Sequence, residues 1–149
     1  MTRRVLLITG ATGAQGGANL RELLRRKGDW DLRALVRNPG ADKAQALAHQ
    51  GVVLVKGDLD DEGSLGAALR GVHGVHSVQT PMGHGPEGEV RQGKALATLA
   101  AEAGVSHFVY SSVAGAERNS GRPCGNPAGC SDDLASRRGI LCHGTSVWT

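Results

Sequence analysis

The chain has 149 residues, 40% of them hydrophobic, and carries 17 Lys+Arg against 14 Asp+Glu for a net charge of +3. That length builds one domain with a real core and is too short for two of ordinary size. No apolar run approaches the roughly 20 residues of a membrane span, no dense Lys/Arg block appears, and aromatics at 3% offer no stacking platform, so the composition argues against membrane and nucleic acid as primary partners.

The start, Met1-Thr2-Arg3-Arg4 followed by Val5-Leu6-Leu7-Ile8, has the flanks of a signal peptide, but the apolar run stops at Thr9-Gly10, short of an h-region. It reads instead as the first strand, Val5 to Thr9, of a cytoplasmic protein. Its unbroken β-branched and leucine run suits a parallel strand buried on both faces. Gly10 to Gly17 form a turn, and a helix follows to about Lys27 with Leu20, Leu23 and Leu24 at i, i+3, i+4. Asp31 to Val36 reads as a second strand, broken by Asn38-Pro39-Gly40. Ala44, Leu47 and Ala48 mark a second helix ending near Gly51, and Val52 to Val55 is a third strand. Asp60-Asp61-Glu62 puts acids where a helix N-terminus favours them, and Leu65, Ala68 and Leu69 give that helix its apolar stripe. Gly74 to Val78 is a fourth strand. Glu87 to Ala103 is a long helix carrying Leu96, Leu99, Ala100 and Ala103, and His107 to Ser111 is a fifth strand. This alternation predicts an α/β fold: a Rossmann-type doubly wound parallel sheet of about five strands in the order 3-2-1-4-5, spanning residues 1–121.

The first turn carries the strongest chemical signal. Gly10, Gly13 and Gly16 stand as G-x-x-G-x-x-G within Thr9-Gly10-Ala11-Thr12-Gly13-Ala14-Gln15-Gly16-Gly17. A dinucleotide pyrophosphate is anionic and bulky, and needs helix N-terminal N–H groups with no Cβ in the way. Glycines also serve plain turns. Here the motif follows a buried strand and opens an amphipathic helix, which is the context of a nucleotide site. Gly10, Thr12, Gly13, Ala14, Gln15 and Gly16 are therefore the expected phosphate cradle.

The end of the second strand selects the cofactor. NAD sites place an acid there to bond the ribose 2′-OH. This chain has Val36-Arg37-Asn38, with no acid. The Arg37 guanidinium suits a 2′-phosphate, so the expected cofactor is NADP(H). The bland alternative is that Arg37 is one more surface arginine.

Thr9 to Gly17, Val36-Arg37-Asn38-Pro39, Gly57-Asp58-Leu59-Asp60-Asp61, Gln92-Gly93-Lys94 and His107-Phe108-Val109-Tyr110-Ser111-Ser112 together resemble the NmrA-like family of atypical short-chain dehydrogenase/reductases. The resemblance runs in consistent order from residue 3 to about 121. It implies an NADP(H)-binding Rossmann domain, and members that are redox sensors or regulators beside others that reduce quinones or phenylpropanoid-type substrates. It implies too that Asp58 and Leu59 lie beside the adenine and that Thr80 and Pro81 lie near the ribose and nicotinamide half. Ser111 and Ser112 would close that end. On chemistry alone, Asp58 could instead initiate a helix, and the serines could be ordinary strand-end hydrogen bonders.

Short-chain reductases need a Tyr-x-x-x-Lys pair, in which the lysine lowers the tyrosine's pKa so that it passes a proton. The only tyrosine is Tyr110, four residues before Ala114, and the lysine that relatives carry after the fifth strand is missing, since Lys94 is the last lysine. No catalytic residue is assigned. The expected function is a dinucleotide-sensing regulator, with a regulatory protein among its partners. The alternatives are an NAD(P)H-dependent oxidoreductase of quinones or related small molecules, and an inactive truncated remnant.

Composition shifts at Arg122. Residues 122–149 are rich in Gly, Pro, Ser, Arg and Cys, without helix or strand period. Cys124, Cys130, Cys142 and His143 match no common zinc spacing, so no metal site is expected. The segment reads as an irregular or disordered tail, or as a frameshifted end. Pro123 and Pro127 interrupt helix, and Gly139-Ile140-Leu141-Cys142 is its only apolar run. The tail is therefore expected not to extend the sheet, leaving the fifth strand as an exposed edge.

Overall fold

The computed structural model describes residues 3–26, 28, 30–79, 85–111 and 140–143. Strands and helices alternate as β1 (Arg4–Ile8), α1 (Ala14–Arg25), β2 (Trp30–Val36), α2 (Asp42–His49), β3 (Val53–Lys56), α3 (Glu62–Ala68), β4 (Gly74–Ser77), α4 (Gly85–Glu102), β5 (His107–Ser111) and β6 (Ile140–His143). All neighbouring strands pair in parallel, in the order β3-β2-β1-β4-β5-β6. The expected five-strand order is present within it. The switch in winding direction falls at β1, which pairs with β2 on one side and β4 on the other.

The sheet is buried on both faces because its strands are apolar at successive positions. Leu7, Val75, Phe108 and Tyr110 face one way and pack with Leu65 and Leu69 of the α3 region and Leu96, Ala97 and Ala100 of α4. Ile8, Leu32, Ala34 and Val36 face the other way, against Leu20 of α1 and Ala44 of α2. Leu7, Ile8, Leu20, Leu65, Leu69 and Leu96 are fully buried; each such leucine contributes about 1.5–3 kcal/mol by leaving water.

Two local expectations shift. The first helix begins at Ala14, inside the glycine segment, so the turn proper is Gly10 to Gly13. Position 16 needs a glycine because any larger residue would collide with the turn: a Cβ there would overlap the Gly10 carbonyl and lie 2.7 Å from the Thr9 oxygen. The acids before α3 divide their work. Asp61 is the N-cap, accepting from the N–H groups of Gly63 and Ser64 at 3.1 and 3.3 Å. Asp60 turns elsewhere, as described below.

The expectation that the tail leaves the sheet unextended is corrected. Ile140–His143 pairs in parallel with β5, with Phe108 opposite Ile140 and Ser111 opposite His143. The open edge of β5 offers unpaired N–H and C=O groups, and the tail's single apolar run completes them. The intervening segment is long enough for a parallel crossover. Apart from these four residues, the expected tail at 122–149, with Cys124 and Cys130, lies outside the described residues.

Candidate functional site

The strand ends converge on the junction of β1 and β4. Thr9 is 1% exposed and its hydroxyl joins the two strands. Oγ1 donates to the Val78 carbonyl at 3.0 Å and accepts from the Val78 N–H at 2.7 Å. Beyond it Gly10 adopts φ +61°, a backbone that L side chains rarely take, and a Cβ there would crowd Val78 at 3.3 Å. The chain then doubles back, with the Gly13 N–H donating to the Gly10 carbonyl at 2.9 Å, and enters α1.

That helix begins without local compensation. Gly13 occupies its N-cap with no side-chain cap hydrogen bond, and no acid stands in its first turn. The positive end of the helix and its first N–H groups are left for an anion. Gly13 has extended backbone angles, and a Cβ on it would meet only the Gly10 oxygen, at 3.2 Å.

A cleft of about 610 Å³ opens in front of this turn, within the ordinary range for small-molecule sites. Thr9, Gly10, Thr12 and Gly13 form one end. Arg37, Asn38 and Lys43 line its β2–α2 side, together with Asp42, while Gly57, Asp58, Leu59, Val78 and Gln92 also line it. The site residues expected at Gly10, Thr12, Gly13, Arg37, Asp58 and Leu59 are thus brought together.

Ala14, Gln15 and Gly16 stand just behind, in the first turn of α1. Ser111 donates to Gln15 Oε1 at 3.0 Å, which ties the end of β5 to the start of α1. Thr80, Pro81 and Ser112 lie outside the described residues.

Arg37 and Lys43 are both exposed on this rim, and neither has a hydrogen-bond or ion-pair partner among the described residues. Lys43 was missed in the sequence reading. Its signal was a second cation six positions past Arg37, just beyond the Asn38-Pro39-Gly40 turn. That turn is built by Asn38, whose Oδ1 accepts the Gly40 N–H at 3.0 Å.

Asp58 on the cleft and Asp60 beside it form a second unforeseen arrangement. Asp58 is half-buried, and its Oδ1 accepts the Asp60 N–H at 3.0 Å. Asp60 reaches α4, where it accepts from Arg91 Nη2 at 2.7 Å and from Gln92 Nε2 at 2.9 Å.

Tyr110 belongs to a different part of the molecule. It is 3% exposed in the α3–α4 core and does not line the cleft. Its hydroxyl donates to Glu89 Oε1 at 3.4 Å. Burial pushes the Glu89 carboxyl above its ordinary value, against a smaller lowering by the Tyr110 hydrogen bond.

A family model described as the NmrA-like family matches residues 2–126. The chain belongs to the NmrA-like family. Its relatives include an NmrA-like family domain-containing oxidoreductase, hkm9, of Aspergillus hancockii. That protein is 40% identical over 115 residues, covering 74% of this chain and 34% of the relative. Among solved structures, an NADPH-dependent quinone oxidoreductase of Escherichia coli complexed with NADPH is 34% identical with a TM-score of 0.63, covering 75% of this chain and 38% of that protein. The negative transcriptional regulator NmrA, in complex with NADP, has a TM-score of 0.74 at 22% identity, covering 95% of this chain and 44% of that protein. The last likeness shows a shared fold. The chain spans well under half the length of each of these three proteins. No helix among the described residues is long and apolar enough to cross a membrane.

Proposed function

We propose that this chain binds NADP(H) in the cleft and acts as a dinucleotide-sensing regulator, signalling to a protein partner. The observation that carries the binding is a single cleft joining an uncapped helix N-terminus to two cations without partners among the described residues, Arg37 after β2 and Lys43 in the first turn of α2. In this reading the pyrophosphate rests on the N–H groups of Ala14, Gln15 and Gly16, with Gly10, Thr12 and Gly13 shaping the approach. Gly13 leaves the space a side chain would take. Arg37 and Lys43 hold the 2′-phosphate. Asp58 and Leu59 take the adenine, while Ser111, Thr80 and Pro81 serve the ribose and nicotinamide half. The solved relatives that hold NADPH or NADP support this choice of cofactor.

The regulator reading rests on where the sole tyrosine sits. Tyr110 is the one phenol available as a proton donor, and it is engaged with Glu89 inside the core. NADP(H) would supply hydride chemistry when bound; the residues described here hold and orient it.

A second reading, reduction of quinones or related small molecules, is favoured by relatives named as oxidoreductases. Initial-rate measurement of NADPH oxidation with a quinone panel separates the two. The regulator reading predicts no turnover above a Gly13→Val control. Steady turnover lost in that control establishes the oxidoreductase.

A further inference from the structure

Gln92 is 5% exposed, a buried amide on the wall of the cleft. Its Nε2 donates to Asp60 Oδ2 at 2.9 Å, while Arg91 Nη2 donates to Asp60 Oδ1 at 2.7 Å. An ionised carboxylate only accepts hydrogen bonds. The Gln92 amide therefore cannot turn its oxygen toward Asp60 without setting two acceptors face to face. Its orientation is fixed, with Nε2 committed and Oε1 left as the acceptor. No donor among the described residues engages Oε1, and that atom is not among the sealed, partnerless ones. A buried residue on the cleft thus offers an acceptor that cannot become a donor.

We propose that Gln92, locked in this orientation by Asp60, accepts a hydrogen bond from the exocyclic amino group of the dinucleotide's purine and makes the site select adenine over a 6-oxo purine. The proposal rests on the dinucleotide reading above. In a doubly wound sheet the ribose lies at the end of β2, so the base extends past it toward the β3–α3 loop that carries Gly57, Asp58 and Leu59. Gln92 lines the cleft together with those residues. Adenine presents two N–H donors on its 6-amino group. Hypoxanthine presents a carbonyl oxygen in the same place, which would oppose Oε1 in a desolvated setting. One Asp58 oxygen already accepts from the Asp60 N–H, and its other oxygen can take the second amino hydrogen. Asp60 is a positioning residue, acting through the amide it orients.

The test is titration calorimetry of the full chain with NADPH and with reduced nicotinamide hypoxanthine dinucleotide phosphate. Wild type should bind NADPH about tenfold more tightly or better, the value of one lost hydrogen bond plus an unsatisfied acceptor. Gln92→Leu should narrow that ratio. Asp60→Asn provides a partner that both donates and accepts, so Gln92 can turn round and offer its N–H₂ to the 6-oxo base. There the ratio should narrow because the hypoxanthine analogue binds better. A merely structural role for Asp60 would weaken both dinucleotides alike and leave the ratio untouched. A wild-type ratio near one, or a ratio unchanged in both variants, overturns the proposal and leaves base recognition to Asp58 or to nothing. Absence of binding by either dinucleotide overturns the dinucleotide reading, and this proposal with it.

Discussion

The two halves of the sheet contribute unequally to the cleft. Among the described residues, the half running from β1 through α2 to the β3–α3 loop provides nearly all of its lining, from the glycine turn to Arg37, Lys43 and Leu59. From the half built on β4, α4 and β5, the described residues Val78 and Gln92 join it. That half's Tyr110 is turned into the core and donates to the half-buried Glu89. The difference teaches that holding one nucleotide half and reacting at the other are separable demands. The first is met by short loops at consecutive strand ends. The second needs groups that reach the far end of the site from elsewhere in a chain.

The sharpest way to break the comparison lies within the glycine turn, where two similar residues should fail differently. Gly16→Val places a Cβ 2.3 Å from the Gly10 oxygen and 2.7 Å from the Thr9 oxygen, both backbone atoms that cannot step aside. It should cost several kcal/mol, about 3 or more, and yield little folded protein in thermal melts. Gly13→Val meets one backbone oxygen at 3.2 Å and is otherwise open to the cleft. It should fold with a nearly unchanged melt and lose dinucleotide binding altogether. Equal damage from both substitutions would mean that Gly13 serves packing and no phosphate.

A smaller effect probes the other half. Burial raises the folded-state pKa of Glu89, so the folded protein resists its ionisation more than the unfolded chain does. Stability relative to Glu89→Gln is therefore fully present at low pH, below the unfolded value of 4.5, and is lost as pH rises through the higher folded value. Denaturant melts of the two proteins should converge under acid conditions, with Glu89→Gln the more stable near neutrality. A wild type that gains on the variant as pH rises would show that Tyr110 favours the ionised carboxyl more than burial opposes it.

How much of this was legible in the sequence follows from range. β1 to β5 could be read because each is a short apolar run between breakers, and burial on both faces leaves little freedom for such runs. The glycine turn and Arg37 were legible because their meaning is local: one is a backbone shape, the other the residue at a strand end. Lys43 was not, since the exposed face of a helix carries lysines for many reasons. The Asp60 contacts with Arg91 and Gln92 bridge separations of 31 and 32 residues, which no spacing rule specifies. β6 was missed for a related reason. Its residues Ile140, Leu141 and Cys142 carry no signal beyond being apolar, and what recruits them is the unpaired edge of a strand far earlier in the chain.

Cofactor choice turns on what the rim cations hold. Titration calorimetry of NADP+ and NAD+ against wild type and Arg37→Ala measures this directly. A charged hydrogen bond to the 2′-phosphate is worth about 1.5–3 kcal/mol. Wild type should therefore prefer NADP+ by roughly tenfold to a hundredfold, and Arg37→Ala should lose most of that preference while its affinity for NAD+ stays unchanged. Equal affinity of wild type for the two dinucleotides would contradict the account.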